Sequence, residues 1–118
     1  MGEVRAILGV WSADGSTRHD LEMRVDTGAS YSQLPSDMLV DLGWAPNLPP
    51  RYADLADGTR AMVELGEVKI QYKDYVLSRI FIFGENGCPK LLGSETLQGL
   101  GMGVDPVNHR LISVAAYR

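Results

Sequence analysis

The stretch Leu21–Pro35, LEMRVDTGASYSQLP, decides how the rest of the sequence is interpreted. Its first five residues alternate between apolar and polar side chains, which is the period of a β-strand with one buried face. The alternation ends at Asp26-Thr27-Gly28, so a carboxylate directly follows a strand that leads into the interior. Because these residue types also form ordinary turns, the three letters alone leave both a plain turn and a functional site open.

The composition is that of one globular domain. The chain has 118 residues, of which 45% are apolar and 22% are charged, and this length predicts a single domain over residues 1–118. No apolar run approaches the ~18 residues that a membrane span requires. The first five residues, MGEVR, show no signal-peptide pattern. We therefore expect a cytoplasmic protein with no membrane partner.

The net charge limits which partners are expected, and the cysteine content limits which covalent cross-links are possible. The formal net charge is -4, which argues against nucleic acid because phosphate binding requires a basic face. Cys88 is the single cysteine, so an internal disulfide is impossible. A chain of this size must rely on its apolar core, and a dimer would bury additional surface.

Strand signals dominate the rest of the sequence. The predicted strands alternate in polarity or are rich in β-branched and aromatic residues, and they span 4–11, 20–25, 68–73, 75–83 and 110–117. The pairs Asp14-Gly15 and Asp57-Gly58 predict hairpin turns between such strands. The pattern therefore indicates an all-β domain.

Two short helices interrupt the strands. Ser36 and Ser94 are predicted N-caps, and Gly43 and Gly101 are predicted helix ends. The two segments align at an offset of 58 residues, with 34–39 on 92–97, and the same offset places Met23 on Phe81 upstream. We interpret the chain as two similar halves, each a strand, a loop, an apolar pair and a helix.

The order of these motifs resembles the retropepsin-like aspartic proteases, the single-domain branch of the pepsin superfamily. The matching segments are VDTGAS at 25–30, a turn-bearing hairpin at 56–60 and LLGSETLQGLG at 91–101. The tail GVDPVNHRLI at 103–112 is similar to the closing segment of bacterial and archaeal members. The resemblance implies a closed, homodimeric retropepsin-like β-barrel with one or two short helices.

The chemistry of such a site requires two carboxylates. Facing carboxyl groups share one proton because like charges at short range do not both ionise readily. The ionised group acts as general base on a bound water, and the protonated group donates to the scissile carbonyl. This sequence has one Asp-Thr-Gly, and the 58-residue offset places Gly84 opposite Asp26. The second carboxylate is therefore predicted to come from a C2 homodimer that pairs two copies of Asp26.

The resemblance also assigns roles around the catalytic Asp26. Thr27 is expected to hydrogen-bond across the pair, and Gly28 to permit the tight turn. Ala29 and Ser30 are expected to leave room for the substrate.

More distant residues receive roles in the same way. Asp57, Gly58 and Thr59 are expected at the tip of a flap that closes over a peptide. Leu92 and Gly93 are expected to pack beneath the active loop as structural residues.

The sequence departs from the family at two places. Many viral members have a glycine-rich flap, whereas this chain has Ala56-Asp57-Gly58-Thr59, and a turn role for Asp57 stays open beside a substrate contact. Ser94-Glu95 replaces the basic-polar pair that is common in viral enzymes, so we expect the interface salt bridge of those enzymes to be absent.

Other reactive residues do not form a site in the sequence. Cys88 has no histidine partner, and His19 and His109 lack metal-ligand spacing. We therefore predict no metal and no cofactor. Trp11 and Trp44 are interpreted as core or interface residues.

The sequence thus predicts a hydrolase, an aspartic endopeptidase that cleaves peptides or unfolded proteins as a homodimer. A catalytically weak or inactive peptide-binding or assembly module with the same fold is the alternative. A third hypothesis is a monomeric β-barrel in which Asp26 is only a turn residue.

Overall fold

The structure is a computed structural model that describes residues 3–54 and 58–114. These residues form nine strands and two helices, which confirms the mainly β class with few short helices. In chain order the elements are β1 Arg5–Trp11, β2 Arg18–Val25, β3 Ser32–Pro35, α1 Ser36–Asp41, β4 Leu48–Asp54, β5 Arg60–Tyr72, β6 Tyr75–Gly84, β7 Leu91–Leu92, α2 Ser94–Leu100, β8 Met102–Asp105 and β9 Arg110–Ser113. Neither α1 nor α2 is long and apolar enough to cross a membrane.

The strands form one large and one small sheet. Seven strands follow the order β1-β2-β7-β3-β6-β5-β4, and β1 additionally pairs with β5, so the sheet curls back on itself. Strands β8 and β9 form a separate antiparallel pair. The last predicted strand, 110–117, is confirmed as far as Ser113, and its residues 115–117 lie outside the described part of the chain.

The predicted similarity of the two halves appears in the strand pairing. Val25 of β2 pairs in parallel with Leu92 of β7. The equivalent residues at the 58-residue offset, Phe83 of β6 and Leu34 of β3, form the matching parallel pair. Each half therefore inserts a strand into the other half, and neither half can complete its sheet alone.

The core lies inside the curled sheet. Alternation in β2 buries Met23 completely and leaves Glu22 exposed, as the polarity pattern predicts. The buried apolar residues that contact one another come from both halves and are Leu8, Val10, Met23, Leu34, Leu39, Val68, Ile70, Phe81, Phe83, Leu92 and Leu97. Trp44 packs against this cluster, and its indole N–H donates to the Trp11 carbonyl at 2.7 Å.

The helices end as predicted, but their N-caps differ from the prediction. Ser36 and Ser94 occupy the first helical position, and Pro35 and Gly93 are the N-caps, without a side-chain cap hydrogen bond. The reason is that each helix directly follows a strand, β3 or β7, whose extended backbone continues up to the residue before the serine.

Glycines end both helices, as expected. Gly43 follows α1 with φ +89°, and Gly101 follows α2 with φ +67°. This left-handed conformation is accessible to glycine without the steric cost that a side chain adds.

Three buried residues form a triangle that joins β3 to the start of α2, namely Ser32, Gly93 and Thr96. The hydroxyl groups of Ser32 and Thr96 lie 2.6 Å apart, and both residues are fully buried. The Ser32 oxygen also accepts the backbone N–H of Gly93 at 3.0 Å. Since a buried donor without a partner is costly, Ser32 stabilises the junction where the two halves meet.

The predicted turn at Asp14-Gly15 connects β1 to β2, and Gly15 has φ +75°. The Asp14 carboxylate accepts hydrogen bonds from the Ser12 hydroxyl at 2.7 Å, the Ser16 hydroxyl at 2.7 Å and the Ser16 N–H at 2.9 Å. These bonds, that from Ser12 first, lower the pKa of Asp14 from 3.8 to about 2.

The first prediction concerns stability at low pH. A carboxyl group whose pKa is lower in the folded chain stabilises the fold above its unfolded pKa and loses this effect as pH falls through the folded value. The stabilisation by Asp14 should therefore be complete above about pH 4 and lost near pH 2. In urea, the free energy of unfolding of the wild type should exceed that of Asp14→Asn at pH 6, and the two values should converge near pH 2. Asp74→Asn, in the β5–β6 turn, is the matched control, and a wild-type advantage that persists at pH 2 would contradict the assignment.

The second prediction concerns the buried triangle. Ser32→Ala should lower the free energy of unfolding by about 1–3 kcal/mol, because the Gly93 N–H loses its buried acceptor. Ser78→Ala, an exposed serine of β6, should change it by less than ~0.5 kcal/mol. Equal effects of the two substitutions in chemical denaturation would show that the triangle does not stabilise the junction.

Candidate active site

The active loop, residues 26–31, begins where β2 ends beside β7. The Asp26 N–H donates to the Leu92 carbonyl at 3.0 Å, which extends the pairing of the two strands by one residue. The preceding Val25 N–H donates to the Val4 carbonyl at 2.8 Å. The backbone of Asp26 is therefore fixed by the sheet, while its side chain is half-buried.

Inside the loop the chain turns back on the carboxylate. The Gly28 N–H donates to Oδ1 of Asp26 at 3.0 Å, and the Ala29 N–H donates to the Asp26 carbonyl at 3.1 Å. The hydrogen bond from the Gly28 amide restricts the rotation of the Asp26 side chain. Thr27, at the outside of this turn, is exposed.

The far side of the active loop is attached to α2. The Ser94 N–H donates to the Ala29 carbonyl at 2.8 Å, and the Glu95 N–H donates to the Ser30 carbonyl at 2.9 Å. These two amides of the first helical turn have no partner within their own helix. The loop carbonyls satisfy them, so the helix and the loop fix each other.

Glu95 also connects the loop to β6. One oxygen of its carboxylate accepts the Ile80 N–H at 3.2 Å, and the other lies 3.6 Å from the Arg79 guanidinium. Arg79 lies directly against Gly99, where a Cβ atom would overlap its guanidinium. The pairing of Glu95 with Arg79 could not be predicted, since partners on separate elements share no sequence spacing.

Leu92 and Gly93 lie directly against the active loop. Leu92 is fully buried. A Cβ atom at Gly93 would lie 2.5 Å from the carbonyl carbon and oxygen of Tyr31. Only glycine allows this close approach of two backbone segments without displacement.

A groove of about 800 Å³ opens in front of Asp26. The active loop forms one wall through Gly28, Ala29, Ser30 and Tyr31, besides Asp26 itself. Strand β4 forms the other wall with residues 51–54, and the apolar side chains between them are Ile82, Pro89 and Leu91. The groove therefore combines a carboxylate, polar walls and an apolar floor.

The wall formed by β4 was not predicted. Pro49 and Pro50 in its sequence carry no strand signal, and the register of β4 against β5 shifts between Leu48 and Arg51. Prolines are tolerated there because β4 is the last strand of the sheet order. The Arg51 guanidinium nevertheless reaches the active loop and donates to the Tyr31 hydroxyl at 2.8 Å.

The segment predicted to form a flap lies in the sequence between β4 and β5, which pair in antiparallel fashion. Asp54 and Arg60 form the last described pair of these strands and an ion pair of 3.0 Å. Asp57 lies outside the described residues. Gly58, which has φ +85°, and Thr59 directly precede β5. Both residues are exposed, and neither lines the groove.

The other reactive residues stand apart from the groove. Burial raises the pKa of the Cys88 thiol, which reduces its thiolate fraction and hence its nucleophilicity. His19 and His109 are exposed. Within residues 3–54 and 58–114 no three His, Cys, Asp or Glu side chains cluster in a way that could hold a metal ion.

Comparisons with known proteins identify the fold. No family model matches the sequence, and no curated protein matches it significantly. Among solved structures, the chain is similar to the EIAV protease complexed with the inhibitor HBY-793, with a TM-score of 0.54 and 20% sequence identity. The match covers 85% of this chain and 89% of that protease. A bacterial or archaeal type, predicted from residues 103–112, stays a prediction. The order of strands around the active loop and this match together show that the chain has a retropepsin-like fold.

Proposed function

We propose that the protein is an aspartic endopeptidase that works as a homodimer with one Asp26 from each protomer. The observation that supports it best is the setting of Asp26. The backbone N–H of Asp26 donates to the Leu92 carbonyl, its carboxylate accepts the Gly28 N–H at 3.0 Å, and it lines a groove of about 800 Å³. A plain turn residue needs neither the supporting helix nor the groove.

The proposed reaction uses the two carboxyl groups in opposite protonation states. The ionised Asp26 removes a proton from a water molecule, and the water oxygen attacks the scissile carbonyl carbon. The protonated Asp26 donates a hydrogen bond to the carbonyl oxygen and then its proton. As the tetrahedral intermediate collapses, the carbon–nitrogen bond breaks and the leaving amine takes a proton from the carboxyl group that the water had protonated. The other carboxylate takes back the proton of the hydroxyl group formed on the carbonyl oxygen, which restores the starting state of the pair.

A single chain has the position for a second carboxylate but not the residue. Gly84 ends β6 as Asp26 follows β2, and both lie beside the parallel pairs that relate the two halves. A Cβ atom at Gly84 would lie 2.5 Å from the Cys88 sulfur, so this position also has no room for a side chain. The partner carboxylate is therefore proposed to come from a second copy.

Two surfaces are proposed for this second copy. Thr27 is exposed beside the carboxylate, as its role across the two-fold axis requires. The β8–β9 hairpin exposes Val107, Ile112 and Val114, and a sheet of two strands is marginally stable alone. We propose that this hairpin and Thr27 contribute to the dimer contact.

The groove suits an extended peptide. Strand β4 ends the order of the large sheet, so its free edge can pair with a peptide backbone, a common mode of recognition. Ala29 and Ser30 on the opposite wall leave space for side chains. The segment with Asp57, Gly58 and Thr59 is proposed to close over the bound peptide as the flap tip.

The third prediction tests the carboxylate. Asp26→Asn should reduce the cleavage of a denatured protein by 10²–10⁴-fold or more, about the range for loss of a general base. Asp41→Asn, an exposed carboxylate at the end of α1, should keep wild-type cleavage. Sedimentation should show that both variants still dimerise. Tight peptide binding by the wild type without any product would instead support the alternative, an inactive peptide-binding module.

The fourth prediction tests the shared site. Wild-type and Asp26→Asn chains, mixed in equal amounts and allowed to exchange subunits, should retain about a quarter of the activity of the same total amount of wild type, because random pairing gives that share of intact dimers. Activity of about one half would mean that each chain acts alone. Sedimentation of the mixture should verify that dimers dominate at the concentration used.

A further inference from the structure

Arg51 is a cation on the groove wall with no acidic partner in the described structure. Its guanidinium donates a hydrogen bond to the Tyr31 hydroxyl at 2.8 Å. No carboxylate within residues 3–54 and 58–114 lies within ion-pair distance of it. A guanidinium group has five N–H donors, and among residues 3–54 and 58–114 Tyr31 accepts from one nitrogen of Arg51, which leaves other donors that can face a ligand.

Apart from Asp26, the other charged residues of the groove lining form ion pairs within the described part of the chain. Asp54 pairs with Arg60 at 3.0 Å, and Arg24 lies 3.7 Å from Glu3. Arg51 is therefore the cation of the groove lining that a bound peptide can meet without competition from a carboxylate of the described residues. Its contact with Tyr31 holds the guanidinium beside the active loop, which reduces the conformational entropy lost on binding.

We propose that Arg51 selects peptides with an acidic side chain near the scissile bond. A carboxylate and a guanidinium form two parallel hydrogen bonds, a geometry that an amide side chain cannot match. This inference rests on the proposed function for its ligand, an extended peptide in the groove. Since a two-fold dimer carries Arg51 on both sides, the preference extends to positions on both sides of the cleaved bond.

The overall charge of the protein predicts the opposite preference. The formal net charge of the chain is -4, so long-range attraction would favour basic peptides. Salt screens such attraction beyond ~8 Å at physiological ionic strength. A preference for acidic peptides at that ionic strength therefore has to come from a local contact.

The test separates binding from cleavage. Synthetic decapeptide libraries, each with Glu or Gln fixed at one position and mixed residues elsewhere, are passed over immobilised Asp26→Asn protein and are also digested by the wild type. Retained and cleaved peptides are counted by mass spectrometry. We expect Glu to be favoured over Gln about fivefold to tenfold at one or two positions, the range for a partly exposed charged hydrogen bond.

Variants connect this preference to one side chain. Arg51→Gln should reduce the Glu-to-Gln ratio to about one, and Arg51→Glu should favour Lys at the same position. Arg18→Gln removes the same charge outside the groove and should keep the wild-type ratio. Tyr31→Phe should lower the ratio partly, because the guanidinium loses its fixed orientation.

The outcomes distinguish this inference from the proposed function. Equal retention of Glu and Gln peptides overturns the role of Arg51, whether or not the wild type cleaves them. A Glu preference that survives Arg51→Gln overturns it as well. Acid-selective retention that depends on Arg51, without any cleavage by the wild type, supports this role and contradicts the endopeptidase.

Discussion

The structure depends on the pairing of strands from the first half of the chain with strands from the second half. Val25 of β2 pairs with Leu92 of β7, and Leu34 of β3 pairs with Phe83 of β6. Strands of the first half therefore form their hydrogen bonds with strands of the second half. The N–H of Asp26 continues the first of these ladders. As a result, the backbone at the candidate site is held by a contact between residues 66 positions apart, and it cannot form before both halves are in place.

The support of the active loop has the same origin. The carbonyls of Ala29 and Ser30 accept hydrogen bonds from the first two amides of α2. The Glu95 side chain in turn contacts Arg79 and the Ile80 N–H of β6. Catalytic groups are effective when neighbouring residues hold them within narrow geometric limits. Here the neighbours come from β6, β7 and α2, all in the second half of the chain, while the carboxylate lies in the first.

Strands β1, β2, β6 and β9, the end of β5, both helices and the candidate carboxylate could be predicted because their signals are local. Strands β3, β7 and β8 were not predicted. The alternation in β2 and the Asp-Thr-Gly turn depend only on neighbours in sequence, and the 58-residue repeat is visible when the sequence is aligned with itself. Strand β4 could not be predicted, since Pro49 and Pro50 mask a strand that the sheet edge tolerates. The contacts of Arg51 with Tyr31 and of Glu95 with Arg79 depend on tertiary packing, which sequence spacing does not encode. The serine caps were mispredicted because the residue pattern of a cap does not reveal that a strand runs directly into the helix.

The absence of a carboxylate at Gly84 has a consequence for reaction order. If every working site needs two chains, the rate of hydrolysis in dilute solution rises with the square of the protein concentration until association is complete. A newly made chain then has no activity until it meets another, so the concentration of the chain determines whether activity appears. Dilution would reverse this activation without any covalent change.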